Sequence, residues 1–372
     1  MDVKTLVAPW IQGLDPYPPG KPIEELEREY GVVDSIKLAS NENPLGPSPK
    51  ALAALQEALV QLHRYPDGGC YYLRRALARK YGLSPEATLI GNGSNELIEL
   101  IVRTFLRQGD EAVMADQAFV IYRMVVQAHG GRPICVPLRN WTHDLEAIAD
   151  AITPATRIVF LANPNNPTGT IFLRSQWEDF LHAVPRQVVI VMDEAYAEFV
   201  EDPAYPDSIA ALQQPRPLII LRTFSKIYGL AGLRVGYGIA HPELVDMMNR
   251  VRAPFNVSTL AQVAAVAALD DDEHVTRVRR INREGMAALR EAFTQLGLEV
   301  VPSWANFILV RVGNAARVYE ALLRQGVIVR PVRFYGFPEH VRVTIGLPEE
   351  NARLVNALSR VLAAEERRGR AL

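Results

Sequence analysis

Val188-Val-Ile-Val-Met-Asp-Glu-Ala-Tyr196 places five apolar residues in a row directly before a carboxylate. A short apolar run without polar alternation predicts a strand buried on both faces, and such strands belong to parallel sheets covered by helices. The same reading applies to Thr88-Leu-Ile90, Ala112-Val-Met114, Arg157-Ile-Val-Phe-Leu161 and Leu218-Ile-Ile-Leu221. Helical stretches lie between these runs, including 96–106 and 119–128. The fold class is therefore α/β, with a mainly parallel sheet flanked by helices. After Pro254 the pattern changes to helices at 258–269 and 273–296, then shorter strands at 307–310, 327–329 and 341–345. A helix follows the first of these strands and another closes the chain from Glu349, which describes a smaller α+β domain. The first 45 residues contain Asp15-Pro-Tyr-Pro-Pro-Gly20 and lead into Asn41-Glu-Asn-Pro-Leu-Gly-Pro-Ser-Pro49, too rich in proline for regular structure. They predict an irregular arm with one short helix. Ser48-Pro49 then opens a helix, with serine as cap and proline in the first turn. The expected division is an N-terminal arm over 1–45, a large domain over 46–270 and a small C-terminal domain over 271–372.

The 372 residues are 49% hydrophobic and 22% charged, with a net charge of −2, an ordinary globular composition with ample material for a core. No basic block dominates, which argues against nucleic acid as a partner. No apolar run approaches the roughly 18 residues that a membrane span needs, and the N-terminus lacks the apolar core of a secretory signal. With only two cysteines, Cys70 and Cys135, a disulfide framework is not expected and a reducing cytoplasm is the default. The seven histidines are scattered and form no ligand motif, so no metal site is expected.

Open α/β sheets bind ligands outside the carboxyl ends of their strands, and four strand-end loops there carry chemistry. Gly91-Asn-Gly-Ser-Asn-Glu96 opens a helix with amides that suit an anion, although a plain glycine turn has the same composition. Asn163-Pro-Asn-Asn-Pro-Thr-Gly169 restricts its backbone with two prolines, so that Asn166 can be aimed. Asp193 needs a cationic or hydrogen-bonding partner if buried. A protonated pyridine nitrogen would serve, with Tyr196 near the ring hydroxyl; a helix-capping aspartate is the alternative. Thr223-Phe-Ser-Lys-Ile-Tyr-Gly-Leu-Ala-Gly-Leu-Arg-Val-Gly-Tyr237 places Lys226 among hydroxyls and glycines, with Arg234 eight residues on. A lysine there can form a Schiff base with an aldehyde cofactor while Ser225, Arg234 and amides hold a phosphate. The four loops together suit pyridoxal 5'-phosphate.

The order Asn-Pro-x-Asn-Pro-Thr-Gly, Asp-Glu-Ala-Tyr, Ser-Lys-x-x-Gly-Leu-x-Gly-x-Arg-x-Gly-Tyr resembles the fold-type-I aminotransferases. Tyr17-Pro-Pro-Gly20, Leu38-Ala-Ser-Asn-Glu-Asn-Pro-Leu-Gly46, Arg64-Tyr-Pro-Asp67, Pro254-Phe-Asn-Val257 and Val341-Arg-Val-Thr-Ile-Gly346 narrow the resemblance to the histidinol-phosphate aminotransferase family. The resemblance implies that Lys226 binds the cofactor aldehyde and moves the Cα proton. It implies that Asp193 pairs with the ring nitrogen, that Asn166 and Tyr196 contact the ring hydroxyl, and that Phe119 stacks on the ring. Gly93, Ser94, Ser225 and Arg234 would hold the phosphate, joined by Tyr65 from the other subunit of a homodimer. Arg342 would meet the substrate α-carboxylate, or lie near the alcohol end where that group is lacking, and Tyr17, Asn256 and Arg330 would receive the distal group. The reaction implied converts histidinol phosphate and 2-oxoglutarate to imidazole acetol phosphate and glutamate, a step of histidine biosynthesis.

One segment departs from the family. Asp116-Gln-Ala-Phe119 stands where many relatives have Pro-Thr-Phe or Pro-Thr-Tyr, so Phe119 keeps a stacking face without a phenol. Two other expectations therefore stay open: an aromatic amino-acid aminotransferase, and a decarboxylase of a phosphorylated amino acid that uses the same cofactor.

Overall fold

The computed structural model describes residues 3–369. Its strands are β1 (Ile36–Lys37), β2 (Thr88–Gly91), β3 (Glu111–Ala115), β4 (Arg132–Val136), β5 (Thr156–Ala162), β6 (Val189–Asp193), β7 (Leu218–Thr223) and β8 (Gly236–Ala240). Five more follow: β9 (Val300–Val301), β10 (Phe307–Arg311), β11 (Val327–Ile328), β12 (Arg330–Val332) and β13 (Phe337–Thr344). The main sheet has seven strands in the order β2-β8-β7-β6-β5-β3-β4. β8 runs antiparallel to both its neighbours, and the other pairings are parallel. The loops after β2, β5, β6 and β7 consequently leave the same edge of the sheet.

Apolar clusters cover both faces of this sheet. Ile190, Met192 and Ile220 pack on one side with Trp177 and Phe224, while Val191, Ile219 and Phe160 pack on the other with Ile101 and Tyr122. Burial on both sides is what the unbroken apolar runs demand, because successive side chains of a strand point to opposite faces. Helices Gly93–Phe105, Ile121–Ala128, Leu145–Asp150 and Arg174–Ala183 supply the cover. Ser48 caps the helix Pro49–Ala58 by accepting from the Ala51 amide at 3.1 Å.

Towards the C-terminus, β12-β13-β10-β9 form an antiparallel sheet, packed with Leu289, Phe293, Leu354 and Leu358 from the helices Asp272–Gln295 and Pro348–Gly369. Among the described residues no helix is long and apolar enough to cross a membrane.

The N-terminal stretch is more ordered than its composition predicts. It holds a helix at Pro9–Gln12, a second at Ile23–Tyr30, and β1, which pairs in parallel with β11 at Ile36↔Val327. Pro9 stands in the first helical turn, where its missing amide is not needed, so proline there opens a helix instead of breaking one. β1 and β11 form a separate two-stranded sheet. Just beyond it the Thr344 amide of β13 donates to the Leu38 carbonyl at 2.9 Å and the Asn41 amide donates to Thr344 Oγ1 at 2.9 Å, which places residues 39–42 of the arm at the ligand edge of the main sheet.

Candidate active site

A cavity of about 280 Å³ lies at that edge, between the strand-end loops of the main sheet, the arm and the β12–β13 side of the second sheet. Tyr17, Ser94, Phe119, Asn166, Asp193, Tyr196, Ser225, Lys226, Arg234, Arg330 and Arg342 all line it. Two larger grooves, of about 820 and 770 Å³, run past Trp304 on the outside and contain none of these residues.

Lys226 follows β7, and its Nζ donates to the Ser40 carbonyl at 3.2 Å and lies 5.6 Å from the centre of the Tyr196 ring. Loss of water around the ammonium, reinforced by Arg342, lowers its pKa from 10.5 to about 7. Asp193 ends β6 and is buried, accepting from Tyr122 Oη at 2.6 Å and from the Ala195 amide at 3.2 Å. Burial raises its pKa to about 6 despite both donors. Near pH 7 the neutral amine that proton transfer requires is therefore accessible at Lys226, while Asp193 is mainly a carboxylate.

These two shifts give the cofactor-free chain a predicted pH profile. Between pH 7 and 10.5 the unfolded chain keeps a lysine proton that the folded chain has released, so stability rises with pH over that window. Asp193 acts in the opposite sense below it, since the folded chain holds a proton between 3.8 and about 6 that the unfolded chain does not. Chemical denaturation at a series of pH values should show the rise above pH 7, and Lys226→Met should flatten it.

An anion cradle forms at one end of the cavity. Helix Gly93–Phe105 begins here, with Gly93 in the left-handed region at φ +74°. A Cβ at Gly93 would collide with the Arg234 guanidinium, and one at Gly236 would stand 2.7 Å from the Ser94 amide nitrogen. Only glycine lets β8, the helix start and Arg234 converge in this way. Arg234 Nη1 reaches Ser225 Oγ at 3.4 Å, leaving a cation, a hydroxyl and free helix-start amides together.

Asn166 Oδ1 accepts from Arg342 Nη1 at 2.6 Å, which turns the amide nitrogen of Asn166 away from Arg342. Arg342 also donates to the Ala39 carbonyl at 2.8 Å, and its buried Nε has no partner. Arg330 lines the cavity beside the arm. It is 7% exposed, donates to the Pro18 carbonyl at 2.6 Å and to Tyr17 Oη at 3.2 Å, and meets no carboxylate among the described residues. A desolvated guanidinium held by neutral groups is a ready site for an anionic ligand group.

Two of the expected residues stand elsewhere in the chain. Asn256 is outside the cavity, and its side chain is spent on Glu96 Oε2, the Ile90 carbonyl and Arg252, bracing the turn before Gly93. Tyr65 is 83% exposed and stacks on Phe255 at 4.9 Å, away from Lys226. Conversely, Tyr122, Asn41 and Tyr335 line or touch the cavity without having been expected. For Tyr122 a signal existed, since it lies one helical turn beyond Phe119.

Pyridoxal 5'-phosphate fits this donor set: an amine near neutrality, a buried carboxylate, an amide and a cradle of cation, hydroxyl and helix start on one cavity. Taken with the seven-stranded sheet, the arrangement is the one expected of a pyridoxal-phosphate enzyme of the aminotransferase fold. Residues 33–358 match the family model of class I and II aminotransferases. The chain is 51% identical to histidinol-phosphate aminotransferase 1 of Nitrosococcus oceani over 358 residues, covering 96% of this chain and 97% of that one. It is 54% identical to the histidinol-phosphate aminotransferase of Moorella thermoacetica over 355 residues, 95% and 92% of the two chains. The Sinorhizobium meliloti histidinol-phosphate aminotransferase, solved in complex with pyridoxal-5'-phosphate, superposes with a TM-score of 0.90 at 31% identity, covering 96% and 98%. The chain belongs to the histidinol-phosphate aminotransferase family.

Proposed function

We propose that the chain transfers the amino group of histidinol phosphate to 2-oxoglutarate, with pyridoxal 5'-phosphate as cofactor, in a step of histidine biosynthesis. The observation that carries this reading is Arg330, a buried cation on the cavity wall with no carboxylate partner among the described residues. It suits the phosphate of one substrate and the distal carboxylate of the other.

When bound, the cofactor supplies an electron sink for the bonds at the substrate Cα. Gly93, Ser94, Ser225 and Arg234 would hold its phosphate, Asp193 would pair with its ring nitrogen, Asn166 and Tyr196 would contact its ring hydroxyl, and Phe119 would stack on the ring. Lys226, poised near pH 7, takes the proton from the substrate Cα and returns it on the other side of the transfer. Arg342 receives the α-carboxylate of glutamate or stands beside the alcohol end of histidinol phosphate. Tyr17 helps Arg330 orient the distal group. We also propose a homodimer in the cytoplasm. The exposed aromatics Tyr65, Tyr71, Tyr72 and Phe255 suit a subunit interface that brings Tyr65 to the phosphate cradle of a second copy, and the two cysteines are unpaired.

A panel of donors tests the reading. Histidinol phosphate should give the highest kcat/KM with 2-oxoglutarate, above phenylalanine, and threonine phosphate should release no carbon dioxide. Arg330→Ala should raise KM for histidinol phosphate about 30- to 100-fold, the value of a desolvated charge-assisted bond. A preference for phenylalanine that survives Arg330→Ala would point to the aromatic alternative.

A further inference from the structure

Asn41 occupies a node that the catalytic reading leaves unexplained. It is 1% exposed and held in the left-handed region at φ 54°, where asparagine is among the few side chains tolerated. Its backbone amide donates to Thr344 Oγ1 at 2.9 Å, the Thr344 hydroxyl donates to Asn41 Oδ1 at 3.2 Å, and Asn306 Nδ2 donates to the Asn41 carbonyl at 3.0 Å. With Oδ1 turned to Thr344, the remaining group Nδ2 donates to Tyr196 Oη at 2.8 Å.

A phenol has one proton to give. Because Tyr196 accepts from Asn41, its own proton is left for a group on the cavity side. Tyr196 is 5% exposed and borders the cavity, with Asn166 and Lys226 also on its wall. We propose that Asn41 is a positioning residue that makes Tyr196 a one-way donor toward the ring oxygen of the bound cofactor. Thr344 stands two residues beyond Arg342 on β13, so the same anchor ties the direction of the Tyr196 proton to the strand that carries the carboxylate-binding arginine. The inference rests on the pyridoxal 5'-phosphate reading and deepens it. Around Tyr196 the titratable and charged groups are Tyr17, Glu42, Tyr122, Asp193, Lys226, Tyr335 and Arg342.

The test is a spectroscopic pH titration of the visible band of purified protein loaded with pyridoxal 5'-phosphate, arranged as a double-mutant cycle. A donor to the ring oxygen favours its ionised form, so losing one raises the band's pKa. Tyr196→Phe should raise it by about one unit and Asn41→Gly, which keeps the backbone conformation, by about half a unit. In the Tyr196→Phe background Asn41→Gly should add nothing, because its route is gone. Thr344→Val, close in shape to the native residue, should reproduce part of the Asn41→Gly shift and guards against a folding defect at position 41. Equal shifts from Asn41→Gly with and without the Tyr196 hydroxyl, or no shift from either Asn41→Gly or Thr344→Val, would overturn the inference while leaving the wild-type band intact. A wild-type protein with no titrating band would instead overturn the cofactor reading, and the inference with it.

Discussion

Lys226→Ala lowers kcat/KM for amino transfer by about four orders of magnitude or more, the upper range for a positioned proton-transfer group. Lys226 is the one lysine on the cavity wall among the described residues, so no second amine stands ready to replace it. Its side chain donates to the Ser40 carbonyl, and burial already disfavours its charge. The substitution should therefore leave the fold intact, with a thermal midpoint at or slightly above that of the wild type. Steady-state rates and a melting curve on the same preparation separate the two effects. An unchanged rate would remove Lys226 from the chemistry altogether.

Arg222→Met destabilises the fold by about 3–5 kcal/mol, the usual cost of stripping the partner from a buried charge. Arg222 donates to Glu194 Oε2 through Nε at 2.9 Å and Nη2 at 2.7 Å, and Nη1 lies 3.8 Å from Glu198. Both glutamates are buried, and Glu194 Oε1 and both Glu198 oxygens have no hydrogen-bond partner. The guanidinium is thus the main compensation for two desolvated carboxylates. Burial already holds the Glu198 pKa above its ordinary value. Arg222 opposes that rise, so removing it raises the Glu198 pKa further and the deficit should shrink as pH falls and Glu198 takes up a proton. At neutral pH the thermal midpoint should drop by about 5 °C for a chain of this size. Adding Glu194→Gln and Glu198→Gln should recover much of the loss; no recovery would show that packing, not charge, is at stake.

The strands that carry the site were legible because their side chains are buried on both faces. Apolar runs at β2, β3, β5, β6 and β7 need no knowledge of their neighbours to be recognised. β4 and β8 were not legible. β4 is an edge strand that begins Arg132-Pro133, and β8 is Gly-Tyr-Gly-Ile-Ala, which reads as a turn until the Ser94 amide is seen packed against Gly236. The short β1 is invisible locally because its partner, β11, lies some 290 residues away in sequence.

The same distinction holds within the site. Lys226, Asp193 and Asn166 stand at strand ends in short motifs with their own local chemistry, and the fold brings them to one cavity. Asn41 is different, since its partners Tyr196 and Thr344 lie 155 and 303 positions away and nothing near it marks the connection. Asn256 illustrates the reverse case. The residue type suits a polar contact with substrate, yet Glu96 and Arg252 claim its amide, and only the packed turn reveals that.

The most direct measurement is a single-turnover reaction of the cofactor-loaded protein with histidinol phosphate alone. Without 2-oxoglutarate the amino group has nowhere to go beyond the protein, so imidazole acetol phosphate should form once per active site and then stop. Addition of 2-oxoglutarate should restart turnover and release glutamate in equal amount. Continuous product formation without the acceptor, or no burst at all from protein that carries the cofactor, would contradict the account.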